Sequence, residues 1–218
     1  MNTSYKKCDI KPWNCPDKEK QQEMIQKIEE IKTECEQWNA KVLFEDAVHQ
    51  LHTTNNGYAV QFKWKANTKV LQSNTGRDRF TILWAIDPYN WTFTSVQTKL
   101  TCNMDFMKLL LREIAEKYKK RIEWWKKIYL ILDNARYQKA YEVQEEAKKL
   151  WIILQYLPPY CPHLNIIERL RKRLKKKLRN KYFPTFQIFC DHILDILSSI
   201  DKNYEELKWI LNLKFWII

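Results

Sequence analysis

Two apolar runs of strand length, 127–133 and 151–157, stand on either side of a helix-length segment near 138–149. A run that is apolar almost throughout, not at every second position, belongs to a strand covered on both faces. Two such strands joined through a helix pair in parallel by a crossover. That unit commits the chain to a layered α/β architecture. Upstream, shorter strand-like segments lie near 41–48, 58–64, 79–87 and 91–97. Asn55-Asn56-Gly57 is a turn signal between the first two, and Asp87-Pro88-Tyr89-Asn90 joins the third and fourth into a hairpin. The order predicts a mixed sheet, antiparallel at its beginning and parallel later.

Helices are expected over the remaining periodic segments. Asp17 to Trp38 places Ile25, Ile28, Ile31, Cys35 and Trp38 at three- and four-residue steps. Residues 103–120 offer Phe106, Leu109, Leu110, Ile114 and Tyr118 as a buried stripe. Further helices are expected near 164–180, 185–200 and 203–213. The first of these has the stripe Leu164, Ile167, Leu170, Leu174 and Leu178. Pro158-Pro159-Tyr160-Cys161-Pro162 cannot be helical, because proline fixes its own φ and restricts the residue before it. It reads as a rigid loop feeding that helix. Residues 1–16 are polar, carry two prolines and are expected to lack regular structure.

Three acidic residues stand out against this frame. Asp46 interrupts the run Val42-Leu43-Phe44-Glu45-Asp46-Ala47-Val48, Asp133 ends the apolar strand before Asn134, and Glu168 follows the proline loop. An unpaired charge inside an apolar strand is costly. Three convergent carboxylates with divalent ions would remove that cost and make a phosphoryl-transfer site. Each residue also has a plainer reading. Asp133 suits an Asx turn or helix cap. Asp46 suits a buried, hydrogen-bonded carboxylate or a strand edge. Glu168 suits a solvated helix position paired with Lys172.

Charge narrows the partners. Thirty-eight lysines and arginines against 26 acidic residues leave a net charge of +12 in 218 residues, which points to a polyanion, most simply nucleic acid. Arg169, Arg171, Lys172, Arg173, Lys175, Lys176, Lys177, Arg179 and Lys181 crowd the segment behind Glu168. At that density like charges repel, and a nucleic-acid backbone would compensate them; a solvated helix face is the alternative. Only Gly57 and Gly76 occur in the chain, so glycine-rich phosphate loops are excluded, and with them Rossmann and P-loop nucleotide enzymes. The six cysteines show no CxxC pair and read as reduced thiols. His49 and His52 lack a second pair at zinc-ligand spacing. No signal peptide follows Lys6 and Lys7, and the longest apolar runs fall far short of a membrane span. The chain reads as soluble and cytoplasmic.

Four segments carry a family resemblance: Phe44-Glu45-Asp46-Ala47-Val48-His49; Ser73-Asn74-Thr75-Gly76-Arg77; Leu130-Ile131-Leu132-Asp133-Asn134-Ala135-Arg136-Tyr137; and Leu157-Pro158-Pro159-Tyr160-Cys161-Pro162-His163-Leu164-Asn165-Ile166-Ile167-Glu168-Arg169. With them the chain resembles the catalytic domain of insertion-sequence transposases of the mariner-related superfamily, the DDE superfamily endonucleases. Thirty-four residues separate Asp133 from Glu168, a spacing typical of that superfamily. The resemblance implies a ribonuclease H-like mixed sheet flanked by helices. It implies that Asp46, Asp133 and Glu168 are the catalytic carboxylates and hold two Mg²⁺ or Mn²⁺ ions. It further implies that the partners are DNA, both transposon ends and target, and that the chain acts as a homodimer. The basic residues Arg169 to Arg179 would contact phosphates.

The chain departs from the family pattern at four places. Gln138 stands where histidine is usual, Ile166 where proline is, Arg171 where tryptophan is, and Trp84 near an expected small residue. About forty residues precede the first motif. They are expected to be a tail and helix, 1–40, linking to or left over from a helix-turn-helix DNA-binding region, with 41–218 as the catalytic domain. Three functions remain open on sequence: a working transposase domain, an inactive or truncated remnant that binds nucleic acid non-specifically, and a ribonuclease H-like nuclease with no role in transposition.

Overall fold

The computed structural model describes residues 17–55, 70–90, 92–120, 126–200 and 213–215. The irregular 1–16 segment, the strand expected near 58–64 and all but the last residue of the helix expected at 203–213 lie outside these. In chain order the elements are α1 (Lys18–Glu36), β1 (Ala40–Leu51), β2 (Arg79–Ile86), β3 (Phe93–Thr98), α2 (Met104–Lys117), β4 (Lys127–Leu132), α3 (Tyr141–Lys149), β5 (Ile152–Tyr156), α4 (Ile167–Leu178) and α5 (Phe186–Ile200). Single 3₁₀ turns at Arg136–Lys139 and Pro162–Leu164 lead into α3 and towards α4. Helices expected as continuous from 138 and from 164 therefore begin later, after a tighter first turn.

Among the described residues the strands form one sheet in the order β3-β2-β1-β4-β5. β1 pairs antiparallel with β2, and β2 with β3. β1 pairs parallel with β4, and β4 with β5. This is the mixed sheet that the element order predicts. The β2–β3 hairpin turns at Asp87, whose Oδ1 accepts the amides of Tyr89 (2.9 Å) and Asn90 (3.2 Å). Its Oδ2 takes Lys41 Nζ at 2.6 Å, with the two side chains only 0% and 8% exposed. Removing one partner of such a pair would strand a buried charge.

Alternation along β1 divides the core. Val42, Phe44 and Val48 face α1, α4 and α5 together with Ile82, Trp84 and Ile131. Leu43 faces α2 and α3 with Leu83, Leu130, Met107, Leu110, Ile114 and Val143. Two helix stripes differ from expectation. In α1 the buried residues are Gln21, Met24, Ile28 and Ile31; Ile25 is only half-buried, and Trp38 lies beyond the helix end at φ 62, 69% exposed. In α2 they are Met107, Leu110, Leu111, Ile114 and Ala115, while Leu109 turns outward. Adjacent apolar residues at Met24-Ile25 and at 109–111 leave the stripe's angle to whichever row meets the sheet. β5 also differs: it is the last strand of the sheet, and Ile153 is exposed, so of the two apolar runs only β4 is covered on both faces.

α4 behaves as its sequence predicts, with Ile167, Leu170, Leu174 and Leu178 all buried. Leu174→Ala should lower unfolding free energy by about 2–5 kcal/mol, whereas Lys175→Ala on the exposed face should change it by less than about 0.5 kcal/mol. Urea titrations of both variants test the assignment, and equal effects would mean that the helix is rotated about its axis and buries a different row.

Candidate active site

The register of β1 on β4 brings two of the three carboxylates together. Phe44 lies beside Ile131 in the parallel pair, so two residues further along each chain Asp46 stands beside Asp133. Asp133 falls just past β4, at the carboxyl end of a parallel strand, where open α/β sheets hold their sites. Glu168 occupies the first turn of α4. All three line one pocket of about 520 Å³, together with Asn134, Asn165 and the loop Leu157–Pro162. Tyr160, at φ 58 and half exposed, sits on that loop between the prolines.

Hydrogen bonds hold the pocket walls. Leu157 donates its amide to the Leu132 carbonyl at 2.9 Å, and Asn134 Nδ2 donates to the Leu157 carbonyl. These tie the ends of β4 and β5 to each other. Asp133 Oδ1 accepts the Ala135 amide at 3.2 Å, so the Asx turn is present and the carboxylate still borders the pocket. Buried Asn165 carries out the linkage that matters most for Glu168. Its Nδ2 donates to the Glu45 carbonyl in β1 at 2.8 Å, and its Oδ1 accepts the Ile167 amide at 3.1 Å. One side chain thus fastens the start of α4 to the strand position next to Asp46.

The electrostatics are those of a site built against its own solvation. Asp46 is 7% exposed. Its Oδ1 accepts the Ala47 amide at 2.8 Å, while Oδ2 makes no hydrogen bond among the described residues. Trp84, wholly buried, is its cross-strand neighbour on β2. Burial, then Glu168 and Asp133, push the Asp46 carboxyl from its ordinary 3.8 up to about 7, against the opposing pull of Arg171 and the Ala47 amide. Glu45, fully buried on the opposite face of β1, is raised well above its ordinary value by burial and then by Asp46 and Asp133. Its Oε2 accepts Gln138 Nε2 at 2.7 Å, and Gln138 Oε1 in turn accepts the Ala135 amide at 3.1 Å.

Glu168 is not paired with Lys172, as the i,i+4 spacing suggested. Its Oε1 accepts Arg171 Nη1 at 3.0 Å, and the same nitrogen lies 3.7 Å from Asp46 Oδ2. The remaining basic residues of α4 separate by face. Lys172, Lys175, Lys176 and Arg179 are exposed, while Arg173 and Lys177 are half-buried. Arg169 donates to the Lys214 carbonyl at 2.8 Å. The histidines have packing partners: His49 Nδ1 meets Thr81 Oγ1 at 3.1 Å, and His52 Nε2 lies 2.9 Å from the Phe183 carbonyl and 2.8 Å from Asn74 Nδ2.

Three carboxylates facing one pocket, one with a buried oxygen lacking a hydrogen bond, form a hard-oxygen donor set that suits Mg²⁺ or Mn²⁺. As they stand, no group of three His, Cys, Asp or Glu among the described residues is gathered closely enough to hold an ion; the cation lying between two of them is Arg171. A second hollow of about 710 Å³ runs along the β5 edge past Lys127, Trp151 and Ile153. It shares no residue with the carboxylate pocket. Sequence reasoning gave no site role to Asn165, Glu45 or Gln138, the last noted only as a departure from the family pattern. The signal for Glu45 was its place beside Asp46 in an apolar strand; a lone Asn or Gln carries none.

The model of the DDE superfamily endonuclease family matches residues 41–190. No curated protein matches the chain. Solved structures of similar shape include the Mos1 mariner paired-end complex with Mn, at TM-score 0.69 and 13% identity over 99% of this chain and 69% of that one. The paired-end complex with Mg aligns at TM-score 0.67 and 13% identity, over 97% and 65%. The catalytic domain of the Mos1 mariner transposase aligns at 0.59 and 11% identity, over 93% and 94%. At these identities the likeness speaks for the fold, a ribonuclease H-like mixed sheet.

Two measurements probe the geometry. Between 3.8 and about 7 the folded Asp46 holds a proton that the unfolded chain has released. Stability therefore falls as pH rises through that window and stays lower above it. In chelator-treated protein the melting-temperature change from about pH 5 to about pH 8 should be more favourable in Asp46→Asn than in the wild type; superimposable profiles would refute the buried carboxyl. Asn165→Ala should cost about 1–3 kcal/mol, because the Glu45 carbonyl loses its donor inside the core. A loss no larger than that of an exposed lysine would remove Asn165 from the linkage.

Proposed function

Since the chain belongs to the DDE superfamily endonuclease family, we propose that it is the catalytic domain of a DNA transposase, cutting and joining strands at the pocket of Asp46, Asp133 and Glu168. The observation that carries this reading is the meeting of three carboxylates from β1, the end of β4 and α4 in one pocket, beside a helix whose outer face is basic. The proposed catalytic unit is 41–218, with 1–40 leading into it; α1 packs Met24, Ile28 and Ile31 into the core behind Asp46.

In this reading Asp46, Asp133 and Glu168 hold two Mg²⁺ or Mn²⁺ ions, in line with the Mos1 complexes that contain Mn and Mg. Held there, the ions would supply Lewis-acid activation of a water or 3′-hydroxyl and charge stabilisation for the departing 3′-oxygen. The protein supplies position. Asn165 sets the height of Glu168 over β1, and the tie between Asn134 and Leu157 keeps the Asp133 wall closed. Lys172, Lys175, Lys176 and Arg179 line the solvent face of α4, where they neutralise phosphates and so give affinity without sequence choice. The substrates are then transposon-end and target DNA, in line with a Mos1 transposase paired-end complex with left transposon end and a Mos1 strand transfer complex. Two ends need two such pockets, so the working form is a homodimer, acting in the cytoplasm. Among the described residues no helix is long and apolar enough to cross a membrane.

A second reading, a silent remnant that binds nucleic acid through the basic face, is favoured by Arg171 lying between two of the carboxylates. Nicking of supercoiled plasmid in Mn²⁺ separates the two. Glu168→Gln should keep the melting temperature and lose nicking, because an amide is a poor ligand for a hard cation. Equal nicking by wild type and variant would take Glu168 out of the site, and no nicking by either would favour the remnant. Binding to unrelated duplexes should be of similar strength. Replacing Lys172, Lys175 and Lys176 with Ala should flatten the dependence of log K on log salt by about 0.9 for each phosphate no longer neutralised. An unchanged slope would move the DNA path elsewhere.

A further inference from the structure

Arg171, which reaches two of the pocket's carboxylates, is accounted for neither by the pattern of carboxylates nor by the basic face. It sits one turn after Glu168 on α4, yet its guanidinium points away from the exposed row of Lys172, Lys175 and Lys176 and in towards the acids. Nη1 is 3.0 Å from Glu168 Oε1 and 3.7 Å from Asp46 Oδ2, with side chains 31%, 29% and 11% exposed respectively for Arg171, Glu168 and Asp46. The Asp46 oxygen it approaches is the one that lacks a hydrogen bond. A single positive charge therefore bridges the two carboxylates that would otherwise repel each other across the pocket.

We propose that Arg171 is a built-in competitor for the site's ions: it neutralises Asp46 and Glu168 while the pocket is empty of metal and must swing aside before an ion can bind them. This rests on the ion-binding reading of the pocket. The physical argument is exclusion. A Mg²⁺ or Mn²⁺ ion binds carboxylate oxygen at about 2.0–2.2 Å, and two cations cannot share the same oxygens at such range without strong repulsion. Metal affinity is then the difference between the ion's hold on the acids and the arginine's. The same exchange explains why the carboxylates border one pocket without forming a ready cage. One guanidinium nitrogen, 3.0 and 3.7 Å from the two oxygens, holds them further apart than the shell of an ion that binds oxygen at about 2.0–2.2 Å.

The test is a titration of Mn²⁺ into the whole chain, following free Mn²⁺ by electron paramagnetic resonance, with melting temperature as a second readout. Arg171→Gln should bind Mn²⁺ about three- to tenfold more tightly than wild type, the range set by removing a half-exposed ion pair as competitor. Chelated Arg171→Gln should melt below chelated wild type, because nothing offsets the repulsion between the acids, and Mn²⁺ should raise its melting temperature by more. Arg171→Lys, which keeps the charge but not the planar guanidinium, should fall between the two and serves if the glutamine variant fails to fold. Equal dissociation constants in all three, with binding lost in Asp46→Asn, would overturn the role of Arg171 and leave the ion site standing. Weaker binding by Arg171→Gln would also overturn it, by showing that the arginine assists the ion. No Mn²⁺ binding by any form would overturn both this inference and the ion site on which it rests.

Discussion

The parallel pairing of β1 with β4 is the constraint on which the rest depends. It is set by apolar side chains: Leu43 and Leu130 bury on one face, Phe44 and Ile131 on the other. A slip of one residue would turn every one of those side chains to the wrong face. The acids add nothing favourable to this pairing, yet it decides where they stand. Because β1 runs on past the end of β4, Asp46 lies within a strand while Asp133 lies in the loop beyond one. The first is almost wholly buried, and the second meets solvent.

That asymmetry has an energetic consequence. Asp46 and Glu45 are adjacent carboxyls on opposite faces of one strand, both buried and both pushed towards the protonated form. The fold answers with single, well-placed polar groups. Gln138 meets Glu45, Asn165 meets the carbonyl between them, and Arg171 approaches Asp46. Burial of unmatched charge is destabilising, so the arrangement has no rationale as packing. It has one in the proposed reading, as a pocket that would hold cations against a polyanion.

α4 joins both halves of that task in twelve residues. Its apolar row is held by the sheet and α5, its first turn carries Glu168, and its outer row carries the exposed lysines. The helix is amphipathic in the ordinary sense, but its polar side is itself divided between the pocket and the solvent. Arg171 and Lys172 are neighbours in sequence with different surroundings, since successive helical residues point about a hundred degrees apart.

Much of this was legible in the chain before any coordinates. The apolar run before Asp133, the Asp87 turn and the stripe of α4 are local patterns, governed by residues close in sequence, and each has the predicted form. The four motifs likewise pointed to the family and to the ribonuclease H-like sheet. Tertiary structure decided whatever depended on a partner far along the chain. It chose which of two adjacent apolar rows of α1 and α2 meets the sheet, and it left β5 at an edge. It also brought Asn165 to Glu45 across 120 positions. Periodicity records that a face is buried but not what covers it, and a single polar residue records nothing until its partner is known. For the same reason Arg171 read as one cation in a basic run. Only the packed helix turned it from a candidate phosphate ligand into the counter-charge of Asp46 and Glu168.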